Sequence, residues 1–536
     1  MGTPVSPGRH IVQDFASAAA AGLAYAEVVS RPSDIPVAGF AAPLAPGHAA
    51  ARGLPYGLCA AVAIVVVTAA RLAWLAVQPA DLYPDEAQYW LWAQTPALGY
   101  YSKPPLVAWI IAATAALLGE GEFGIRAAAP LLHAAAAGFV YAAAARLYDR
   151  RTGFWSALAY ASMPGVSLSA FLISTDAVLL PCWAAALFAF IRAREPGGGG
   201  WWFAVGIAAG LGLLAKYAMA YWLLSALGFL LLVRGERRNL PAFVGAAALA
   251  LAIYAPNAWW NWTHGFVSYR HVGDNAHLAG ALFHPRAFAE FFLSQFGVFG
   301  PVLFALLLAV ASHPRVLAEP RSRLLAVFSL PTLAMMLGVS LLSRAQPNWA
   351  APAYVSASIL VVAWALGRRR RAIVIAAIAL NFAAAVAVFG GRDALAAARI
   401  AVPAKYDPLH RLRGWRELGQ QVAAQLRAYP GLKLLADDRE LIAALVYYVR
   451  PHPFDAVLWS VIPGVKDQWQ LTNNIAGHIG EDFLAVTQHG LMPELQARFG
   501  ELMPLTSIDI VSGPAGGRRY TLYIARDYRG EPADRR

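Results

Sequence analysis

The sequence predicts a polytopic, all-α bundle of membrane-spanning helices followed by a small soluble α/β domain. Of its 536 residues, 59% are hydrophobic and only 14% are charged, whereas roughly a quarter of the residues in a soluble protein are charged. The apolar residues also form long blocks, many of them near the ~20 residues that a helix needs to cross the hydrocarbon core of a membrane. After residue 391 these blocks stop and the sequence becomes polar and mixed.

Eleven apolar blocks have the character of membrane spans. A twelfth block, Leu106–Leu118, is too short to cross, and it is predicted to lie at the membrane surface as an interfacial helix. The eleven predicted spans lie near residues 56–78, 126–147, 153–172, 177–193, 202–218, 221–233, 240–259, 288–312, 324–342, 350–366 and 372–389.

The arginines predict the orientation of the bundle. From residue 147 onward they cluster in alternate connections, and the positive-inside rule assigns those connections to the cytoplasm. The connection of residues 79–125 is then expected on the opposite side. The net charge of +12 fits topology signals and anionic membrane lipids, so no nucleic-acid partner is predicted. The clusters lie at residues 150–151, 192–194, 234–238, 315–323 and 368–371.

Three parts of the chain are predicted from these patterns. Residues 1–51 form a poorly ordered tail, residues 52–391 the membrane domain, and residues 392–536 an extracytoplasmic α/β domain. With eleven spans before it, the last part is expected on the same side as the first long connection. Its predicted elements are a helix at 415–429, a strand and helix at 433–448, and strands at 483–487 and 520–526.

The first external connection holds the strongest chemical signals. Asp85 and Glu86 follow the first span, where a partly desolvated carboxylate can act as a general base toward a hydroxyl or amine. The simpler alternative is that both residues charge the N-terminus of an interfacial helix after Pro84. Lys103 is one of only five lysines among 43 basic residues. As a compact point charge before two prolines it suits a phosphate, and the alternative is an interface anchor.

Two further charged residues lie at the outer ends of predicted spans. Asp176 follows Ser174 and opens the span of residues 177–193. It is therefore either part of a helix cap or a second acid that faces the same site. Lys216 lies near the outer end of another span, and for it too a structural and a functional role both stay open.

The connection of residues 261–286 is rich in histidine and contains His264, Arg270 and His271. The spacings of 7, 6 and 7 residues between its four histidines match no metal-ligand motif. Contact with a substrate phosphate or sugar is therefore preferred, and a solvated loop is the simpler alternative. No metal ligand is assigned and no cofactor is predicted to be required, although a requirement for a divalent metal stays an open alternative.

Several of these motifs, in this order, resemble bacterial glycosyltransferases of the protein-mannosyltransferase-like superfamily, which includes the aminoarabinose and galacturonic-acid transferases. The resemblance covers roughly residues 80–350 and implies the GT-C membrane fold. It rests on Pro84-Asp85-Glu86-Ala87 with Tyr89, Tyr100-Tyr101 with Lys103-Pro104-Pro105-Leu106, Glu122-Phe123-Gly124-Ile125-Arg126, and Ser174-Thr175-Asp176-Ala177.

The resemblance implies an inverting transfer of a sugar from a polyprenyl-phosphate carrier to lipid A, a polysaccharide or a protein. The reaction is expected at the outer, periplasmic face of the cytoplasmic (inner) membrane. Asp85 matches the family's catalytic aspartate, with Glu86 as its acidic neighbour and Asp176 as the second acid. Lys103 matches the lysine that engages the carrier phosphate. The other residues predicted to bind substrate are Tyr89, Tyr100, Tyr101, Lys216, His264, Arg270 and His271.

Two other functions stay open at this point. A transporter or flippase of lipid-linked sugars would need charged residues at mid-membrane depth. Most charges here lie at the ends of spans instead, with Arg71 as the main exception. A polymerase or ligase of whole polysaccharides would share the donor chemistry and differ in the size of the unit transferred.

Overall fold

The structure of the chain is a computed structural model that describes residues 55–275, 283–397, 407, 409–460, 464–488, 490, 492–511 and 517–530. It consists of a large helical bundle followed by a small sheet with helices, which confirms the predicted fold class. The tail predicted for residues 1–51 lies outside the described residues.

The first part of the described chain folds as nineteen α-helices. In chain order they are α1 (Tyr56–Val77), α2 (Pro84–Gln94), α3 (Leu106–Leu118), α4 (Glu122–Arg126), α5 (Ala128–Leu147), α6 (Arg150–Ser162), α7 (Pro164–Phe171), α8 (Thr175–Ala193), α9 (Trp201–Ala215), α10 (Met219–Leu232), α11 (Leu240–Thr263), α12 (Val267–Asn275), α13 (Pro285–Val298), α14 (Pro301–Ala311), α15 (Pro314–Ala318), α16 (Pro320–Val327), α17 (Leu330–Leu342), α18 (Ala353–Gly367) and α19 (Arg371–Ala397).

All eleven predicted spans are helical, but they differ in length. Among the residues that the structure describes, six helical segments are long and apolar enough to cross a membrane, and the bent pair α13–α14 makes a seventh if it is counted as one span. Three predicted spans are shorter helices, because α9, α10 and α18 have 15, 14 and 15 residues. The block at 153–172 breaks at Met163, before the proline that begins α7. By length and composition alone, the described residues therefore contain six or seven full-length spans, and the other predicted spans are shorter or interrupted helices.

The block at 288–312 is predicted as one span, and in the structure it consists of two helices with a sharp bend between them. Helices α13 and α14 meet at an angle of 115°. Gly300, between them, has a φ of +98°, and a Cβ there would lie 2.2 Å from the Asn381 Oδ1 atom. Only glycine fits that conformation and that space. Pro301 then begins α14 without an amide hydrogen that could continue α13.

The arginine-rich connections meet at one end of the bundle. Arg146 pairs with Glu195 at 2.6 Å, which joins the α5–α6 and α8–α9 connections. Tyr56, the first residue of α1, lies at the same end, with its ring 5.9 Å from the ring of Phe154 near the start of α6. The end of α1, and hence the first long connection, lies at the other end of the bundle. Further contacts at the arginine end join Arg194 with Glu236 and Arg321 with the Tyr148 ring.

The C-terminal part contains a five-stranded sheet with the strand order β2-β1-β3-β5-β4. Strand β1 is parallel to β2 and β3, whereas β5 is antiparallel to β3 and β4. The helices and strands that the sequence predicts here are confirmed, and β2 and β4 are two additional strands. The elements are α20 (Trp415–Ala428), β1 (Lys433–Ala436), α21 (Arg439–Tyr448), β2 (Val457–Leu458), α22 (Gln468–Thr472), β3 (Phe483–Thr487), α23 (Met492–Gln496), β4 (Phe499–Val511) and β5 (Gly517–Tyr528).

This C-terminal domain packs against the first long connection. The amide of Asp81 donates to the Leu412 carbonyl at 2.9 Å, and the Asp81 carboxylate accepts from the Trp415 amide at 2.9 Å. The amide of Tyr101 donates to Gln468 Oε1 at 2.8 Å. Both regions therefore lie at the end of the bundle opposite the arginines, as the alternation of charged connections predicts. The boundaries of the three parts stay predictions, and α19 continues past residue 391 to Ala397.

Candidate active site

Asp85 lies in the first turn of α2, directly after Pro84. Its Oδ1 atom accepts from Arg439 Nη1 at 2.9 Å, and the two side chains are 42% and 39% exposed. Arg439 also donates to Gln88 Oε1, one turn further along α2. The Asp85 carboxylate is thus held in place by a cation and remains open to the surroundings.

Asp176 occupies the corresponding position in α8, where the Ser174 hydroxyl accepts from a backbone amide and caps the helix. Its two oxygens accept from Lys216 Nζ at 2.7 Å and from Asn348 Nδ2 at 2.6 Å. Lys216 reaches it because α9 ends there and the backbone of Lys216 is extended. The acid and the lysine that the sequence singled out separately therefore form one ion pair.

Lys103 is influenced by the charges of both ion pairs. Within the described part of the chain its amino group forms no ion pair. Burial, followed by the charge of Lys216, lowers the pKa of Lys103, while Asp85 and Asp176 act in the opposite direction. Because the charges of all four other groups act on Lys103, the five groups Asp85, Lys103, Asp176, Lys216 and Arg439 are taken together and are here called the charged cluster.

Aromatic and imidazole side chains border the charged cluster. Tyr89 is buried, and burial together with the charge of Asp85 raises its pKa well above the usual value. Burial, and then the charges of Lys103 and Arg439, lower the pKa of His271 to about 4. The ring of His271 lies 5.0 Å from that of Tyr101. These three predicted substrate contacts therefore lie beside the acids and cations.

Glu86 does not have the position predicted for a catalytic residue. It is 1% exposed and pairs with the fully buried Arg126 at 2.6 Å. Its oxygens also accept from the amides of Tyr83 and Ile173, each at 2.9 Å. A carboxylate that is saturated in this way has no free lone pair directed at a substrate. Glu86 instead fastens the first connection to the turn between α7 and α8.

Three other predicted contacts lie outside the charged cluster. Tyr100 stacks on Trp92 at 4.6 Å and donates to its carbonyl at 2.9 Å, so it belongs to the core of the first connection. His264 stacks on the Trp260 ring at 4.2 Å. Arg270 is exposed on α12 and its side chain forms no ion pair with the residues that the structure describes. Substrate contact by these residues stays a prediction.

Sequence reasoning missed Arg439, Gln88 and Asn348. Gln88 lies inside the first motif, one helical turn after Asp85, and this spacing is a signal that could have been used. Asn348 lies in a short 3₁₀-helix, Pro347–Ala350, whose sequence carries no chemical pattern. Arg439 is 354 residues away from its partner Asp85, and no local pattern distinguishes it from the other arginines.

A metal site was left open by the sequence. Among the residues that the structure describes, no three His, Cys, Asp or Glu side chains come together as metal ligands do. The carboxylates of the charged cluster are paired with Arg439 and Lys216 instead, and His277 of the histidine-rich connection lies outside the described residues.

Known proteins share both sequence and fold with this chain. The family model described as dolichyl-phosphate-mannose-protein mannosyltransferase matches residues 102–260. The lipid A galacturonosyltransferase RgtD of Rhizobium johnstonii is 33% identical over 388 residues, which cover 71% of this chain and 80% of that relative. The undecaprenyl phosphate-α-4-amino-4-deoxy-L-arabinose arabinosyl transferase of Pseudomonas savastanoi is 30% identical over 33% of this chain and 36% of its own length.

The fold is shared with a solved structure. The crystal structure of ArnT from Cupriavidus metallidurans in the apo state matches with a TM-score of 0.58 and 17% identity, over 87% of this chain and 97% of that chain. The same protein bound to undecaprenyl phosphate matches with a TM-score of 0.56. The resemblance inferred from the motifs is thereby confirmed. This chain belongs to the GT-C superfamily of membrane glycosyltransferases and is an enzyme of that class.

Proposed function

We propose that this enzyme transfers a galacturonosyl unit from a polyprenyl-phosphate carrier to lipid A at the outer face of the cytoplasmic membrane. The observation that carries the proposal is the charged cluster, which combines a half-exposed acid with a lysine that forms no ion pair with any described residue. The relationship to a lipid A galacturonosyltransferase supports the sugar and the acceptor. The relationship to an undecaprenyl phosphate-dependent arabinosyl transferase supports a lipid-linked donor.

The position of the charged cluster supports reaction on the outer side. It lies at the end of the bundle opposite the arginine-rich connections, which the positive-inside rule assigns to the cytoplasm. Nucleotide sugars are cytoplasmic and do not reach that side. A donor whose sugar is carried by a membrane lipid meets this requirement, because the lipid can present its headgroup at the outer surface.

The proposed step is an in-line displacement at the anomeric carbon of the donor sugar. Asp85 accepts the proton of an acceptor hydroxyl, and the oxygen attacks from the face opposite the phosphate. A carbon–oxygen bond to the acceptor forms while the bond from the anomeric carbon to the phosphate oxygen breaks. The electron pair of that bond remains on the polyprenyl phosphate, whose charge Lys103 stabilises. The configuration of the anomeric carbon is inverted.

Asp176 has a positioning role in this scheme. Its carboxylate fixes the Lys216 amino group from one side, and Asn348 fixes the carboxylate from the other. Lys216 in turn lowers the pKa of Lys103. The second ion pair thus sets the electrostatic field in which Lys103 meets a phosphate.

The test is a transfer assay with purified enzyme, polyprenyl phosphate-galacturonate and lipid A, followed by mass spectrometry of the lipid A. The expected result is a mass increase of one hexuronic acid, and its loss in the Lys103→Ala variant. A variant that folds normally and keeps full activity would contradict the assignment of Lys103. Exchange of labelled donor across proteoliposomes without any transfer would instead favour the flippase alternative.

A further inference from the structure

The C-terminal domain contributes one side chain to the charged cluster. Arg439 is the first residue of α21, and the preceding Asp438 caps that helix through hydrogen bonds from the Glu440 and Leu441 amides at 2.8 and 3.1 Å. Helix α21 packs beside α2. Its first residue is therefore placed by a capped helix of a folded domain and not by a loose loop.

Helices α2 and α21 are in contact at two places. Arg439, the first residue of α21, pairs with Asp85, and the ring of Tyr447, near the C-terminus of α21, lies 4.9 Å from the Trp90 ring. The Tyr448 hydroxyl accepts from the amide of Leu82 at 2.6 Å and so ties α21 to the same connection. The guanidinium of Arg439 is thus held at the acid by contacts along the whole length of the helix.

The charges of the cluster do not balance. Lys216 is paired with Asp176 and Arg439 with Asp85, whereas Lys103 forms no ion pair with a described residue. A sugar phosphodiester carries one negative charge, which Lys103 alone can match. The proposed function, on which this inference rests, adds a second negative charge, because a hexuronic acid carries a carboxylate. That carboxylate requires a second cation.

Of the two paired cations, Arg439 is the one that can be exchanged. Lys216 and Asp176 are 18% and 8% exposed, and removing the cation would leave Asp176 buried and unpaired. The Arg439–Asp85 pair is about two fifths exposed on both sides, where an ion pair contributes little to stability. The planar guanidinium also matches a carboxylate with two parallel hydrogen bonds.

The positions of the two cations agree with the two ends of such a donor. Lys103 precedes two prolines and the apolar helix α3, which is the side from which a lipid phosphate would approach. Arg439 comes from the soluble domain on the water side. A sugar whose phosphate contacts Lys103 would direct its remaining substituents toward α21.

We propose that Arg439 recognises the carboxylate of an acidic donor sugar and releases Asp85 when it does so. The guanidinium exchanges the Asp85 carboxylate for that of the sugar, and Asp85 then accepts the proton of the acceptor. A neutral sugar offers no such exchange, so Asp85 stays paired with Arg439. Donor selection and activation of the base are thereby coupled through one residue of the C-terminal domain.

The experiment compares two donors that differ only at C6, polyprenyl phosphate-galacturonate and polyprenyl phosphate-galactose. The wild-type enzyme is expected to prefer the galacturonate donor. Arg439→Gln should lower kcat/KM for this donor by about 10- to 100-fold, the usual range for a lost hydrogen bond to a charged group. It should not lower kcat/KM for the galactose donor. Arg439→Lys, which keeps the charge without the planar fork, should give an intermediate preference.

Lys466→Ala is the matched control. Lys466 pairs with Asp274 at 3.2 Å, an exposed contact between the C-terminal domain and α12 outside the charged cluster. Its kinetics with both donors should equal those of the wild type. An equal loss with both donors in Arg439→Gln would overturn the inference, because Arg439 would then act on the phosphate or on Asp85 alone.

The same assay separates this inference from the proposed function. A wild-type enzyme that uses neither donor contradicts the proposed function. A wild-type enzyme that uses both donors equally well supports sugar transfer and overturns the role of Arg439. Binding of each donor to the wild type and to Arg439→Gln, measured without acceptor, provides a readout that does not depend on turnover. The variant should lose affinity for the galacturonate donor only.

Discussion

Asp85 and Glu86 are adjacent acids, each paired with an arginine, yet their surroundings differ completely. Glu86 and Arg126 are 1% and 0% exposed, and the oxygens of Glu86 also accept hydrogen bonds from two backbone amides. Asp85 and Arg439 are 42% and 39% exposed, and their contact joins two separate parts of the chain. The comparison shows that the type of partner does not define the role of an acid. The role depends instead on how exposed the carboxylate is and on how many of its oxygen lone pairs are free to accept a hydrogen bond.

The largest effect is expected for Asp85→Asn. The amide cannot accept the proton of the acceptor, so transfer should fall by about 10²- to 10⁴-fold, the usual contribution of a general base. Stability should change little because the residue is half-exposed. The checks are initial rates with purified enzyme and thermal unfolding in detergent. Near-normal rates in a folded variant would remove Asp85 from the chemistry.

Glu86→Gln should act on folding instead of catalysis. It leaves the Arg126 guanidinium buried without its counter-charge, and breaking a buried ion pair in this way costs about 3–5 kcal/mol. We expect a much lower melting temperature and a low yield of protein in the membrane. A stable but inactive Glu86→Gln enzyme would show that the contrast between the two acids is wrong.

Lys103→Arg extends the comparison to a cation that has no carboxylate partner among the described residues. Burial lowers the pKa of Lys103 below the value of 10.5 for a free lysine, so its charge is lost as the pH rises through that lowered pKa. Donor binding by the wild type should therefore weaken at a pH below 10.5. The arginine variant stays charged, so the loss of donor binding at alkaline pH should shift to a higher pH. The measurement is the KM for the donor as a function of pH. If KM rises at the same pH in the variant and in the wild type, the rise is caused by the titration of another group.

The smallest effect is expected for the stability of Arg439→Gln. An exposed ion pair contributes about 0–1 kcal/mol, so the melting temperature should stay close to that of the wild type. Arg126→Gln is the matched comparison and should behave like Glu86→Gln. Similar melting temperatures for the two arginine variants would remove the distinction between the buried and the exposed pair.

The sequence predicted this site in part. Its ordered motifs identified Asp85, Lys103 and Asp176, and the alternating arginines predicted which connections share a face of the bundle. The different roles of Asp85 and Glu86 also follow from helix geometry, since neighbouring residues point about 100° apart around a helix. If one faces a site, the other faces elsewhere.

Other features depend on tertiary packing. Arg439 reaches Asp85 only because a separate domain packs on the first connection, and nothing near residue 439 in the sequence indicates this. The bend between α13 and α14 has a local signal, Gly300-Pro301, which interrupts an apolar block without changing its hydropathy. Hydropathy alone therefore predicts one span where the backbone forms two helices.

The contact between α2 and α21 joins two parts of the chain with different proposed roles. Asp85, the proposed proton acceptor, and Lys103, proposed to bind the phosphate, belong to the bundle, whereas Arg439, proposed to bind the sugar, belongs to the domain that packs on it. Substrate choice can therefore change by evolution of the soluble domain while the reaction machinery in the membrane stays constant. Grafting that domain from a relative with a different sugar donor is then a direct route to redirected glycan modification.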